Sequence, residues 1–406
     1  MKALQLPPQL RNTILYLTTV VLSQLASFLL LPIVTRFLVP SLYGEYILAL
    51  TIVSLIGMIG SSWIRNVGFR FYFDAKNDGT TRAFFWSMAG LQAASLTLAF
   101  TVGALLLPRF SDELVPFTTL LAAVTMVASS DFLALTVSFL RAEKQSGRFA
   151  LAEITSASTR LIGTTAGLFV GLTHPSFLFL AAAGASVVGG VIAHLSLRAR
   201  LTGPARIELA MMRDVVVRAP AALPYSVGQW IGRLADRLVL NAYASTAVVG
   251  IYSAGYNLAD RIIGGLSEAV FMMAWPDILS AFNDGGVENA RSAVRRYFQI
   301  YLWLTVGPVV ALIVYGAAVV SLLLGQEYQN AVQVLGLVGA AAWIRGLRRG
   351  LNRHFELQKR FYPLSVMTVG GSALNLILNL ILVPRYLALG AGLATFIEQV
   401  VVTLVY

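Results

Sequence analysis

Charged residues inside apolar helices are the first feature of this sequence that could do chemistry. The stretch 220–275 has the pattern of two apolar helices, each long enough to cross a bilayer, yet both contain charges. A charge in hydrocarbon is costly, so such a residue normally faces a protein interior or a watery cavity and marks a functional site. The charges in this stretch are Arg233, Asp236, Arg237, Asp260 and Arg261.

The polar residues of each helix share one face. At about 100° per residue, the polar face of the first helix covers an arc of about 140° and contains Ser226, Gln229, Arg233, Asp236, Arg237 and Asn241. The polar face of the second covers roughly 100° and contains Ser253, Tyr256, Asn257, Asp260, Gly264 and Ser267. We therefore expect the two faces to line one side of a central, water-filled cavity with a positive bias.

The composition places these helices in an integral membrane protein. Of the 406 residues, 57% are hydrophobic and 12% are charged, whereas soluble domains contain about twice that share of charge. The net charge of +11 comes from Lys and Arg in short loops, so topology explains it before any nucleic-acid partner does. The sequence has no cysteine, and its three histidines are scattered, so we expect no metal site and no cofactor.

The loop charges give the predicted topology. We place twelve spans near 12–35, 43–64, 83–107, 115–140, 149–171, 175–197, 219–241, 246–273, 296–324, 329–347, 360–383 and 387–406. Of the 30 Lys and Arg, 23 then lie on the side of the N-terminus, 3 on the opposite side and 4 within spans. Because basic loops stay in the cytoplasm, this asymmetry predicts an integral cytoplasmic (inner) membrane protein with both termini cytoplasmic.

The two halves of the chain resemble each other. Residues 35–50 are similar to residues 235–256, with Arg36 near Arg237, Gly44 near Gly250 and Tyr46 near Tyr252. Repeats of six spans enter the membrane from the same side, which predicts a pseudo-two-fold axis along the membrane normal. The predicted fold is therefore all-α, with about twelve transmembrane helices in two pseudo-symmetric six-helix bundles around a central cavity. The bundles are predicted at 1–200 and 219–406, joined by a cytoplasmic basic linker at 201–218.

Four stretches resemble the polysaccharide and oligosaccharide flippases of the multidrug/oligosaccharidyl-lipid/polysaccharide exporter superfamily. They are SQLASFLLLPIVTRFLVPSLYGEY, LRAEKQSGRF, DRLVLNAYASTAVVGIYSAGYNLADRI and LNLILNLILVPRYLALGAGLAT. The resemblance implies a flippase, and not an enzyme, that moves a lipid-diphosphate-linked oligosaccharide from the cytoplasmic to the outer leaflet by alternating access. Its implied partners are that cargo, membrane lipids, and the polymerase and glycosyltransferases of cell-surface polysaccharide synthesis.

Other functions stay open at this point. Relatives in the superfamily include cation-coupled multidrug exporters and lipid II flippases. A drug exporter favours acidic and aromatic groups for organic cations, whereas this chain has an excess of intramembrane Arg. A membrane-embedded polymerase or glycosyltransferase needs a large outer loop or a constellation of carboxylates and His, and this sequence has neither.

The intramembrane arginines suit a diphosphate. The guanidinium group is planar, binds paired oxygens and stays ionised. We therefore assign substrate binding to residues of the spans, with Gln229, Tyr256 and Asn257 beside the arginines Arg36, Arg160, Arg233, Arg237 and Arg261. The alternatives are that Asp236 pairs with Arg233 within one helix and that Arg36 and Arg237, near span ends, reach the membrane interface.

Intramembrane carboxylates are the candidates for ion coupling. They are Asp131, Asp236, Asp260 and Glu398, and the coupling ion would be H⁺ or Na⁺. The alternative for Asp131 and Glu398 is a structural bond to a neighbouring Ser or Arg. Asp260 and Arg261 point about 100° apart on their helix, so each needs another partner.

Overall fold

The computed structural model describes residues 8–68, 71–106, 115–218, 223–358 and 361–405. Every regular element in these ranges is a helix. Because hydrocarbon offers no partner for backbone N–H and C=O groups, a helix that bonds them internally is the form an apolar chain adopts in a bilayer. The predicted all-α membrane fold is confirmed.

The chain divides into two compact units. Unit one consists of Met1–Leu30 and Leu48–Val227, and unit two consists of Leu31–Ile47 and Gly228–Tyr406. The predicted bundles at 1–200 and 219–406 differ from these units in two respects. Residues 31–47 belong to unit two, and the boundary near residue 227 lies inside a helix, beyond the predicted linker. The units are defined by which residues pack together, whereas the predicted bundles are continuous ranges that follow the order of residues in the chain.

Two helices come first in the described part of the chain and contribute to both units: α1 (Pro8–Phe37) and α2 (Pro40–Gly57). In unit one, α2 continues through a π-helical turn, Met58–Ser62. The helices that follow are α3 (Trp63–Gly68), α4 (Tyr72–Asn77), α5 (Thr81–Leu106), α6 (Phe117–Ala142), α7 (Ser146–Phe169), α8 (Pro175–Leu197) and α9 (Leu209–Arg218). The predicted linker therefore ends in a short helix. Aromatic side chains fill the core, where the rings of Phe85 and Phe139 meet edge to face at 5.1 Å.

Unit two contains the remaining helices and two breaks. Its elements are α10 (Leu223–Tyr243, which starts in unit one), α11 (Thr246–Ala259), a π-helical turn (Asp260–Gly264), α12 (Gly265–Val314), α13 (Gly316–Leu323), a 3₁₀ turn (Gln326–Ala331), α14 (Val332–Leu357) and α15 (Phe361–Leu404). Non-helical backbone at Gly285 and Gly286 divides α12 into two arms, and Leu387, with φ of 49°, divides α15. The predicted start of the C-terminal bundle, 219–222, lies outside the described residues.

Eight helical segments among the described residues are long and apolar enough to span a membrane. Two of them, Thr246–Val314 and Tyr362–Leu404, contain the breaks in α12 and α15. Helices α7 and α10 have spanning length but fall outside this set, because α7 contains Glu153 and Arg160 and α10 contains Arg233, Asp236 and Arg237. The predicted number of twelve spans stays a prediction.

Within unit two, the start of α2 crosses the start of α11 at two glycines. A Cβ atom at Gly44 would lie 2.0 Å from the carbonyl oxygen of Thr246. In return, a Cβ atom at Gly250 would lie 2.0 Å from the carbonyl oxygen of Pro40. The contact is reciprocal and joins residues that the sequence repeat pairs with one another. Only glycine allows two helix backbones to approach this closely.

Candidate functional site

A fully buried arginine lies in the second half of α10. Arg237 is 2% exposed, and its Nη1 lies 2.6 Å from Oδ1 of Asp236. Its guanidinium carbon lies 4.3 Å from the ring centre of Tyr256, which adds a cation–π contact. Oδ2 of Asp236 accepts a hydrogen bond from Tyr252. Asp236 therefore balances Arg237, and the pairing of Asp236 with Arg233 proposed as an alternative from the sequence does not form.

The neighbouring arginine, Arg233, has a different environment. Its side chain is exposed and makes no ion pair within the part of the chain that the structure describes, although its backbone carbonyl accepts a hydrogen bond from Arg237. Because Asp236 pairs with Arg237, it does not neutralise the second arginine of α10, Arg233. Arg233 is thus the α10 residue best suited to meet an anion.

Polar residues of α11 extend this region. Nδ2 of Asn257 donates a hydrogen bond to the hydroxyl of Tyr43, 3.1 Å away, at the start of α2. Tyr256 covers the guanidinium of Arg237. Gln229, one turn before Arg233 on α10, is half-buried and has a partner of its own. The structure thus brings Tyr256 and Arg237 into contact.

Arg36 has a structural partner at the end of another helix. Its Nη2 donates a hydrogen bond of 2.7 Å to the carbonyl of Leu322, in the last turn of α13. Carbonyls in the last turn of a helix have no partner within the helix, so a cation there is favourable. The assignment of Arg36 to substrate binding stays a prediction, and in this conformation Arg36 caps α13.

Asp260 pairs with a residue outside its own helix, as expected because it does not face Arg261. It opens the π-helical turn after α11 and forms an ion pair with Arg345 of α14. Arg261, the next residue, is exposed and has interactions of its own. The wider turn changes the direction of both side chains, and π-turns of this kind are frequent at functional sites.

Helix α14 carries three arginines that meet three carboxylates. Besides Arg345 with Asp260, Arg348 Nη1 lies 3.8 Å from Oε1 of Glu398, and Arg349 pairs with Glu268. The partners come from α15, α12 and the π-turn. The span predicted at 329–347 assigns Arg348 and Arg349 to a loop, whereas α14 continues to Leu357. Their spacing of i, i+3 and i+4 is the signal that would have placed them on one helix face.

In unit one the carboxylate of Asp131 is also paired. Asp131 on α6 is 8% exposed, accepts a hydrogen bond from Ser61 and forms an ion pair with Arg65. Ser61 lies in the π-helical turn that follows α2. Each unit therefore has an ion pair beside a π-turn. In unit one the arginine, Arg65, lies just after the π-turn, whereas in unit two the aspartate, Asp260, opens it. In this conformation Asp131 therefore has the alternative, structural role, with bonds to Ser61 and Arg65.

Arg160 is the substrate-binding candidate of unit one. It lies near the middle of α7, is half-buried, and has neither a hydrogen bond nor an ion pair to any described residue. A guanidinium group without a partner at membrane depth needs water or an anion. Arg160 and Arg233 are therefore the two candidates whose charge is available in this conformation.

Outside the spans, the carboxyl group of Glu143 has a perturbed pKa. Glu143 follows α6 and accepts hydrogen bonds from Tyr72 and from Nζ of Lys76, the latter 2.9 Å away. Burial acts to raise the pKa of Glu143, but the two hydrogen bonds, with the positive charges of Lys76 and Arg200, outweigh it and leave this pKa below its usual value. Burial, and the same bond to Glu143, raises the pKa of Tyr72. These contacts fix the loop that contains α4 to the end of α6.

No group of three or more His, Asp or Glu in the described ranges could hold a metal ion. In each unit the candidate residues include arginines and carboxylates. Such groups can bind and release an anion or exchange ion-pair partners.

Several solved structures that superpose on this chain are transporters. The chain superposes on the lipid II flippase MurJ in an inward closed conformation with a TM-score of 0.76 and 14% identity, covering 97% of this chain and 86% of that one. A multidrug resistance MATE family transporter in an inward-facing conformation gives a TM-score of 0.67 with 14% identity over 94% of this chain and 93% of the other. A transporter of the same superfamily from Pyrococcus furiosus gives 0.58 with 14% identity over 97% and 92%.

The sequence itself matches one family. No curated protein matches the chain. The family described as "Polysaccharide biosynthesis protein" matches residues 9–276, about two thirds of the chain and most of the helices described above. This chain therefore belongs to the polysaccharide biosynthesis protein family and has the fold of the superfamily that includes MurJ and the MATE transporters.

Proposed function

We propose that this protein is a flippase that moves a lipid-diphosphate-linked oligosaccharide from the cytoplasmic to the outer leaflet for cell-surface polysaccharide synthesis. The family assignment supports a role in polysaccharide synthesis, and the fold supports transport by alternating access. The observation that carries the proposal is Arg233, an exposed guanidinium in a membrane helix whose neighbouring aspartate on that helix, Asp236, already pairs with Arg237. A diphosphate is the anion that this group would bind through paired oxygens.

The cargo explains why the charges are in the membrane. Its sugars and diphosphate cannot enter hydrocarbon, whereas its prenyl tail can. Cationic side chains at membrane depth lower the cost of moving the head group. Arg233 of unit two would supply such a charge, and Arg160 of unit one would supply another. Arg237 stabilises Asp236 and the tyrosines of α11 in this conformation, and its assignment to substrate binding requires that this pair open.

We also propose that transport is coupled to H⁺ or Na⁺. Asp131, Asp236, Asp260 and Glu398 are all paired with arginines in this conformation. Protonation or cation binding at any of them would weaken an ion pair and favour a second conformation. Collapse of the proton or sodium gradient across reconstituted vesicles should then slow transport, and an unchanged rate would reject coupling.

The test is transport by the purified protein in vesicles containing a fluorescent prenyl-diphosphate-linked oligosaccharide. Arg233→Gln removes the charge, keeps hydrogen-bonding capacity and should reduce the rate at least tenfold, because charge-assisted bonds are worth about 1.5–3 kcal/mol. Arg295→Gln changes an exposed arginine of α12 and should leave the rate unchanged. Equal rates for wild type and Arg233→Gln would remove Arg233 from the site.

The same vesicles distinguish the alternative cargos. Lipid II and an organic cation are tested beside the oligosaccharide lipid, because the fold is shared with a lipid II flippase and with multidrug transporters. Transport of the organic cation alone would contradict the proposal. Transport of lipid II alone would keep the diphosphate-binding role of Arg233 and change the cargo.

A further inference from the structure

The linker that leads to α9 runs along a membrane-spanning helix of unit one. The backbone N–H of Thr202 donates a hydrogen bond of 2.9 Å to Oγ1 of Thr81, the first residue of α5. Further on, the backbone N–H of Glu208 donates a hydrogen bond of 2.8 Å to Oγ of Ser87. Ser87 lies about 9 Å along α5 from its first residue, at 1.5 Å per residue. Because α5 is long and apolar enough to span the bilayer, α9 begins at the depth of the membrane boundary.

Helix α9 has three sectors around its axis, at about 100° per residue. One sector packs on the core of unit one and contains Met211, Met212 and Val215. A second sector is exposed and mostly polar, and it contains Ala210, Asp214 and Arg218. The third sector is exposed and mostly apolar, and it contains Leu209, Arg213, Val216 and Val217. We name these four residues the outer apolar sector.

The outer apolar sector has the exposure of a surface that meets lipid. Leu209, Val216 and Val217 are 77%, 45% and 67% exposed. An isolated exposed apolar residue is ordinary, but three on one sector of a ten-residue helix form a patch. A helix with a core face, a polar face and such a patch, held at the membrane boundary, has the pattern of an interfacial helix. The acyl chains at the boundary are therefore the natural cover for this patch.

Arg213 lies in the middle of the outer apolar sector. Leu209 and Val217 lie about 40° to either side of it around the helix. Arg213 is exposed and has neither a hydrogen bond nor an ion pair to any described residue. The arginines on either side in sequence are engaged, because Arg206 pairs with Glu208 at 2.7 Å and Arg218 lies over the ring of Phe71 at 4.8 Å. Arg213 is thus the cation of this segment that is available to a ligand.

The position of Arg213 determines the kind of ligand. A long cationic side chain among apolar neighbours at a membrane boundary extends its charge toward the head groups. The anion within reach there is the phosphate of a lipid, which the planar guanidinium binds through paired oxygens. In a zwitterionic lipid the choline or ethanolamine cation offsets this attraction. A lipid with a net negative head group has no such offset, and basic residues beside a membrane favour it.

We propose that α9 is an interfacial helix whose outer apolar sector lies among acyl chains and whose Arg213 binds the phosphate of an anionic phospholipid. The inference goes beyond the proposed transport function, since it requires only that α5 spans the bilayer. It gives the basic linker a binding role in addition to the topological one that its charge predicts.

The first experiment locates α9. Because the sequence contains no cysteine, single variants such as Val217→Cys and Asp214→Cys can each be labelled with a nitroxide at one place in the full-length protein. In vesicles, we expect the label at Val217→Cys to collide mainly with oxygen, which dissolves in hydrocarbon. The label at Asp214→Cys, on the polar sector, should collide mainly with a water-soluble nickel chelate. Mainly nickel collisions at Val217→Cys would overturn the interfacial placement, and shielding from both reagents would show that protein covers the patch.

The second experiment tests the lipid. A fluorophore on Val217→Cys reports local quenching by phosphatidylglycerol or phosphatidylcholine, each with the same nitroxide on its acyl chain and at the same low mole fraction in phosphatidylcholine vesicles. The ratio of the two quenching constants gives the local preference for the anionic lipid. Arg213→Gln in this background should reduce the ratio about fivefold, because one basic residue near the surface contributes about that factor.

Two control variants make this result specific. Arg213→Lys keeps the charge and should keep most of the preference, whereas a merely structural role of the guanidinium would be lost in both variants. Arg291→Gln removes an exposed arginine of α12 that lies 3.8 Å from Glu288, and it should leave the ratio unchanged. The preference should also weaken at high salt, since exposed charges are screened.

The outcomes separate this inference from the proposed transport function, because no cargo is present in either experiment. A ratio near one in the wild type, or a ratio that Arg213→Gln leaves unchanged, would overturn the lipid site. A ratio lost in Arg213→Gln and kept in Arg213→Lys and Arg291→Gln would support it.

Discussion

The crossing of α2 and α11 gives a prediction that can be worked out from the backbone alone. A Cβ atom added at Gly44 or at Gly250 would lie 2.0 Å from a carbonyl oxygen of the other helix, whereas ordinary contacts begin at 3.4 Å. Each substitution to alanine therefore requires the helices to separate locally by about 1.4 Å. A backbone carbonyl within a helix cannot rotate away as a side chain can.

The expected cost follows from two opposing effects. Alanine in place of glycine stabilises a helix by about 1 kcal/mol, and overpacking costs about 1–3 kcal/mol. Gly184→Ala is the matched control, because Gly184 lies in α8 with nothing within 4 Å of the added Cβ. Both variants gain helix propensity, so Gly44→Ala should be less stable than Gly184→Ala by about 1–3 kcal/mol.

The double variant tests the geometry more sharply. Because one separation of the helices makes room for both methyl groups, the cost of Gly44→Ala with Gly250→Ala should be smaller than the sum of the single costs. Coupling energies of about 0.5–3 kcal/mol are usual for residues in contact. Denaturant titration in detergent measures the free energy of unfolding of the wild type, the two single variants and the double variant. Strict additivity, or a Gly44→Ala protein as stable as the control, would refute the reciprocal crossing.

Two further predictions concern ion pairs of unit one. Asp131→Asn leaves Arg65 without its partner and should lower the free energy of unfolding by about 3 kcal/mol, whereas exchanging the two residues, Arg65→Asp with Asp131→Arg, should recover part of the loss. An exchange variant no more stable than Asp131→Asn would show that the pair itself contributes little. Because the pKa of Glu143 is lowered in the folded state, its stabilising contribution is present above the pKa of the unfolded chain and is lost as pH falls through the folded value. Tyr72→Phe removes one of the two hydrogen bonds and should make the unfolding midpoint less dependent on pH in the acidic range; an unchanged pH profile would contradict this assignment.

Part of the site could be predicted from residue types and spacing. Charges in apolar stretches identify α10 and α11 as helices with a polar face, because helical periodicity and the cost of charge in hydrocarbon are local properties of the chain. The same reasoning correctly required a partner for Asp260 outside its own helix. It also assigned Arg348 and Arg349 to a loop.

The sequence by itself determined the all-α membrane fold and the family, since apolar length, loop charge and short motifs are written along the chain. Only the tertiary structure decided which charges remain available. Arg237 and Asp236 neutralise one another, Arg36 caps α13, and Arg233 and Arg160 have no such partner among the described residues. The physical reason is that an ion pair depends on atoms brought within about 4 Å by packing, and residues as distant in sequence as Asp260 and Arg345 meet only in the folded protein.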